Sequence, residues 1–190
     1  MRIALFGGTF DPIHNAHLTV AREAAHAFSL DRVLLIPAAH PPHKSNDHLT
    51  PYEDRLRMVA LACGEDPLLE ASRLEDHEGK SYSIDTIERA LRTVAAGGQL
   101  YFLIGADAFR EIETWHRWRD VIAAVDFIVV TRPGHEYRTP PGARVHRLDT
   151  LALSISSSEI RQRLVEGDLP PEVPPSVWTY IREHGLYRSY

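Results

Sequence analysis

Two hydrophobic periods alternate along this chain. Short, nearly continuous apolar runs lie at residues 3–6, 32–37, 68–72, 100–104 and 126–131. Between them are longer stretches in which apolar residues return every third or fourth position. Uninterrupted runs of that length predict strands buried on both faces, and the longer period predicts amphipathic helices. The first helical stripe is Leu18, Ala21, Ala25 and Phe28. The second is Leu56, Val59, Ala60 and Cys63, and the third is Ile84, Ile87, Ala90, Leu91 and Val94. Thr50-Pro51-Tyr52-Glu53 reads as a capping box with proline at the first helical position. Residues 145–148 and 151–155 read as short extended segments. Ser156-Ser157-Ser158-Glu159 then opens a helix, and Val177, Tyr180 and Ile181 mark a last one. Strand–helix alternation predicts an α/β fold with a mainly parallel sheet, doubly wound with helices on both faces. We expect one domain over residues 1–190, its C-terminal part, from about residue 156, being a small helical region.

One stretch concentrates polar chemistry where a strand ends. Residues 2–6 run into Gly7 and Gly8, then Thr9, Phe10, Asp11-Pro12, His14 and His17, with a helix starting near Asn15. A strand, a glycine turn and a helix N-terminus form a layout that holds phosphates. The first helical N–H groups lack partners, and the helix dipole favours an anion there. Histidines three apart share a helix face and can donate to a phosphate. The same residues also fit a simple turn followed by two solvated histidines, or a metal site. The loop at 38–49 adds His40, His43, Lys44 and His48, and Gly105-Ala106-Asp107 and Arg132 follow later strands. A parallel sheet gathers all of these at one edge, where open α/β sheets bind ligands. There is no G-x-x-x-x-G-K-[ST] and no G-x-G-x-x-G, so neither a P-loop nor the dinucleotide fingerprint is present.

Composition narrows the reading. Against 21 Lys+Arg stand 26 Asp+Glu, a net charge of −5, without the basic footprint of a nucleic-acid binder. Cys63 is the single cysteine, which excludes an internal disulfide and a four-cysteine zinc site, and its apolar surroundings predict a buried thiol. The most apolar stretch, residues 121–130, is too short to span a membrane and the N-terminus lacks a signal-peptide layout, so a cytoplasmic protein without membrane partners is expected. Self-association into a homo-oligomer is left open.

GGTFDPIHNAH resembles the first signature of the nucleotidylyltransferase superfamily, G-G-[ST]-F-D-P-x-H-x-G-H, with Ala16 where that form has glycine. ISSSEIR, residues 155–161, is similar to its second signature, I-S-S-T-x-[IV]-R, with Ser158 for threonine. Residues 36–37, 42–44, 82–86, 105–107 with Trp115, 131–134 and 177–187 resemble the bacterial nicotinate-nucleotide adenylyltransferases. Phosphopantetheine adenylyltransferases are typically shorter and have threonine in place of His14. The resemblance implies a Rossmann-like fold and the joining of ATP to nicotinate mononucleotide, giving deamido-NAD and pyrophosphate. It implies that His14 and His17 hold the α-phosphate, and that Gly7, Gly8, Thr9 and Phe10 line the ATP phosphates. Lys44 would act as a point charge, and Ile155, Ser157, Ser158 and Arg161 would hold the β- and γ-phosphates. Gly105 and Asp107 would bind adenosine, Trp115 would stack on the pyridine ring, Tyr82 and Thr86 would meet its carboxylate, and Arg132 would meet the mononucleotide phosphate. Mg²⁺ would arrive with ATP, with no metal held by the protein itself. Nicotinamide mononucleotide as substrate, a non-catalytic nucleotide-binding module and a metal-dependent hydrolase are the competing readings.

Overall fold

A computed structural model describes residues 1–41, 49–76, 79–94, 97–151 and 155–188. Lys44 and His43 lie outside the described residues, as does most of the extended segment expected at 151–155. Six strands form one sheet: β1 (Arg2–Gly8), β2 (Arg32–Pro37), β3 (Leu69–Ala71), β4 (Gln99–Gly105), β5 (Asp126–Thr131) and β6 (Arg144–Asp149). Their spatial order is β3-β2-β1-β4-β5-β6, and every neighbouring pair is parallel. This is the doubly wound Rossmann-like order, with its direction of winding reversed between β1 and β4. The crevice outside the carboxyl ends of those two strands is where such sheets take ligands.

Alternation along the strands divides the core. Ala4, Tyr101 and Ile128 face one layer, and Leu5, Phe102 and Phe127 the other. On the first face pack α1 (Asn15–Ala27), α2 (Tyr52–Cys63), α6 (Ser157–Val165) and α7 (Pro175–Glu183). On the second pack α3 (Ser83–Thr93), α4 (Ala106–Arg110), a 3-10 turn (Ile112–Thr114) and α5 (Trp118–Ala124). Cys63 is buried, and burial pushes its thiol pKa up to about 12. Among the described residues no helix is long and apolar enough to cross a membrane.

Two local readings are corrected by tertiary contacts. Thr50 does not cap α2: the cap residue is Pro51, which makes no side-chain cap bond. Thr50 instead gives its carbonyl to the Arg55 side chain. The buried stripe of α2 is Arg55, Leu56, Met58, Val59, Ala62 and Cys63, with Ala60 only half-buried. A cation therefore occupies one of the helix's core positions.

Candidate active site

The glycines end β1 rather than turn it. Gly7 and Gly8 still pair in register with Ile36 and Pro37. The turn comes at Phe10, whose φ of 48° is left-handed, and at the cis Asp11-Pro12 bond. Left-handed backbone is strained for a bulky side chain. Close packing explains Gly8: a Cβ there would lie 2.9 Å from the Phe10 ring. Nothing comes within 4 Å of a Cβ built on Gly7, so that strand end opens to solvent at the crevice.

On this floor sit the two histidines. Phe10 and His17 pack edge to face, with ring centroids 5.0 Å apart, and the His17 and His14 rings stack at 3.8 Å and 26°. His14 is the N-cap of α1, with extended backbone (φ −145°, ψ 170°). Its backbone N–H donates to Nδ1 of His17, 3.3 Å away. That bond makes Nδ1 an acceptor, so a neutral His17 carries its proton on Nε2, across the ring. Burial lowers the pKa of His14 from 6.5 to about 4, opposed by the charge of Glu172. Burial, then the neighbouring His14, lowers that of His17 to about 3. Both rings are therefore neutral donors at pH 7. Nδ1 of His14 is buried and has no hydrogen-bond partner among the described residues. Ala16 is buried in the first turn of α1, its methyl turned to protein.

The second signature docks directly on the first. Ser156 caps α6, and its hydroxyl accepts from the N–H of Glu159 at 3.2 Å. Ser157 donates its hydroxyl to the carbonyl of Pro12, 3.0 Å away. Arg161 donates to the carbonyl of Asp11 at 2.6 Å and to the Ser158 hydroxyl at 3.2 Å. Two motifs at opposite ends of the chain thus share the Asp11-Pro12 turn. The N-termini of α1 and α6 meet there with a guanidinium bonded to a carbonyl and a hydroxyl, an arrangement suited to a polyphosphate. Ile155, just before α6, is half-buried against the same core layer.

On the β4 side, a cleft of about 560 Å³ lies between the start of α3 and the α4 region, lined by Ser81, Tyr82, Ser83, Glu111, Trp115 and His116. Trp115 packs edge to face with Phe102, centroids 6.0 Å apart, and Tyr82 lies 4.4 Å from the His116 ring. The first turn of α3 has no side-chain cap. Thr86 is placed differently from the expectation: it is buried and donates its hydroxyl to Glu75 Oε1 at 2.9 Å, so it does not line the cleft. Gly105 is the exposed N-cap of α4. Asp107, also exposed, pairs with Arg110. Arg132 is exposed just beyond β5, its carbonyl accepting from His135. Thr9 is half-buried, and its carbonyl accepts from Arg55, a contact no local motif announces. The only signal was a charged residue at a core position of α2, in step with Met58, Val59 and Ala62.

Residues 5–163 match the model of the cytidylyltransferase-like family. A probable nicotinate-nucleotide adenylyltransferase of Solibacter usitatus is 58% identical over 187 residues, covering 98% of this chain and 100% of the relative. One from Thermus thermophilus is 44% identical over 190 residues, covering 99% of this chain and 100% of the relative. Among solved structures, Plasmodium falciparum nicotinic acid mononucleotide adenylyltransferase complexed with NaAD superposes with a TM-score of 0.79 at 21% identity, over 98% of this chain and 97% of that one. That superposition is a likeness of fold.

Proposed function

The chain belongs to the cytidylyltransferase-like family, and from that premise we propose that it is a nicotinate-nucleotide adenylyltransferase acting in NAD biosynthesis. It joins ATP to nicotinate mononucleotide, releasing pyrophosphate. A 5′-phosphate oxygen of the mononucleotide attacks the α-phosphorus of ATP. The bond from that phosphorus to the bridging oxygen breaks, and pyrophosphate leaves in line. A phosphate monoester, with a second pKa of about 6, is already mostly a dianion at neutral pH, so no general base is required. The protein's work is positioning and charge stabilisation.

The observation that carries this reading is the seating of Ser157, Ser158 and Arg161 on the turn that presents His14 and His17. In the proposal the stacked histidines donate to the α-phosphate. The α6 start with Arg161 holds the β- and γ-phosphates, while Gly7, Gly8 and Thr9 let the chain come close. Lys44 adds a point charge, Gly105 and Asp107 meet adenosine, and Arg132 meets the mononucleotide phosphate. A divalent cation, Mg²⁺ in our reading, enters as part of the ATP substrate. The reaction is assigned to the cytoplasm.

The β4-side cleft suits the other substrate. Trp115 offers a face for the pyridine ring, and the uncapped first turn of α3 offers backbone donors to a carboxylate. A carboxamide has less to gain from that helix end, so the acid is the preferred substrate. The hydrolase reading draws on the loop histidines, of which His43 and His48 lie outside the described residues, and an ATP-hydrolysis assay without mononucleotide tests it.

Pyrophosphate release from ATP and Mg²⁺, run in parallel with nicotinate and nicotinamide mononucleotide, tests the assignment. Strong preference for the acid is expected. Equal rates would discard the acid specificity, and no release with either would leave only nucleotide binding. Trp115→Ala is expected to raise KM for the mononucleotide roughly five- to tenfold, as for one lost aromatic stack of about 1 kcal/mol. KM for ATP should stay near the parent value, and an unchanged mononucleotide KM would remove Trp115 from the site.

A further inference from the structure

The turn that carries the histidines is held from beneath by side chains that neither signature contains. Arg55 of α2 is wholly buried, at 0% exposure. Its Nη1 donates to the carbonyl of Thr9 and its Nε to that of Thr50, both at 2.8 Å. The Tyr52 ring lies 5.8 Å from the guanidinium carbon. From the C-terminal segment, Tyr187 donates its hydroxyl to Oδ1 of Asp11 at 2.5 Å. Asp11 is itself buried, at 2% exposure, and its backbone carbonyl is the one that receives Arg161. Burial pulls the pKa of Arg55 down while the charge of Asp11 pulls it up, so these two ions face a common interior.

We propose that Arg55 and Tyr187 are positioning residues for phosphate transfer. Arg55 sets the height of Thr9, Tyr187 sets the side chain of Asp11, and between them they fix the turn from which His14, His17 and the Arg161 contact are all measured. Neither touches substrate. A buried guanidinium bonded to two carbonyls resists displacement, because moving either strand of the turn strands a charge-assisted bond in a dry interior. The inference rests on the adenylyltransferase reading, whose own failure would be visible beforehand as a parent enzyme that releases no pyrophosphate.

Tyr187→Phe keeps the ring and removes one O–H. Arg55→Lys keeps the charge but loses the planar fork. Tyr180→Phe removes the α7 hydroxyl bonded to Asp54 at 2.8 Å and serves as control for simple loosening of the C-terminal helices. With both substrates saturating, kcat should fall roughly tenfold in Tyr187→Phe and ten- to a hundredfold in Arg55→Lys, the scale for small misplacements of reacting groups. KM for the mononucleotide should stay within about twofold, because its cleft lies on the other side of the sheet. Tyr180→Phe should match the parent. An unchanged kcat in either folded variant overturns the proposal for the pair, as does an equal loss in Tyr180→Phe. If Arg55→Lys lacks a cooperative thermal transition, Tyr187→Phe alone decides.

Discussion

His17→Ala is expected to lower kcat by roughly 10² to 10³ while leaving ATP affinity close to that of the parent, the pattern for removal of one transition-state donor. His17 Nδ1 accepts a hydrogen bond from the backbone of His14. With that nitrogen occupied as an acceptor, the neutral ring has one N–H, on Nε2, and it is fixed in direction. The Phe10 ring, packed edge to face with it, and the stacked His14 ring hold the imidazole in place. A neutral, immobile donor in a poorly hydrated site contributes most where charge grows during the reaction, at the α-phosphate oxygens. In the proposed reaction, ground-state ATP binding would draw instead on Arg161, the α6 N-terminus and the glycine strand end. Steady-state pyrophosphate release at saturating substrates measures the first effect, and titration calorimetry with a non-hydrolysable ATP analogue the second. Near-normal turnover would remove His17 from the mechanism. A parallel loss of affinity would recast it as a binding residue.

Much of this site was legible from the chain because its parts obey local rules. The stripe of Leu18, Ala21 and Ala25 follows the helical period, and the burial of β2, β4 and β5 follows from their continuous apolar runs. Ser156 with Glu159 forms the capping box that its sequence announces. What escaped depends on side-chain contacts that no helical period or capping rule encodes. Gly7-Gly8 looks like a turn, yet Gly8 is glycine because the Phe10 ring covers it. Thr86 looks available to a ligand, yet Glu75 takes its hydroxyl into the core. Thr50 looks like a cap, yet its backbone serves Arg55 and Asp11. Arg55 keeps step with the apolar stripe, but its charge alone assigns such a residue to solvent. In each case a particular side-chain contact overrode a correct local preference.

Acid should weaken the protein well above the pH at which carboxylates protonate. His14 has a folded pKa of about 4 against an ordinary 6.5, and His17 is lowered to about 3. Between those limits the unfolded chain binds protons that the folded chain refuses, so stability rises with pH there. It is complete above about pH 6.5 and is lost as pH falls toward the folded values. His14 alone contributes on the order of 3 kcal/mol across that window, by the usual conversion of pKa shift to free energy. The carboxylates held below their ordinary range by arginine neighbours, Asp66, Asp126 and Asp168 among them, lose their contribution only at lower pH, below the unfolded carboxylate pKa of about 4. Urea unfolding at about pH 7 and about pH 4.5 should therefore show a drop of roughly 2–3 kcal/mol from His14 and about as much again from His17. The drop should shrink in His14→Gln, which cannot take up a proton. A flat profile in the parent would mean that the histidine pair is more hydrated than its burial indicates. Bound polyphosphate should reverse part of the shift, because its charge favours the imidazolium form. MgATP binding near pH 6 would then be accompanied by proton uptake, seen as a calorimetric enthalpy that depends on the buffer's own ionisation heat.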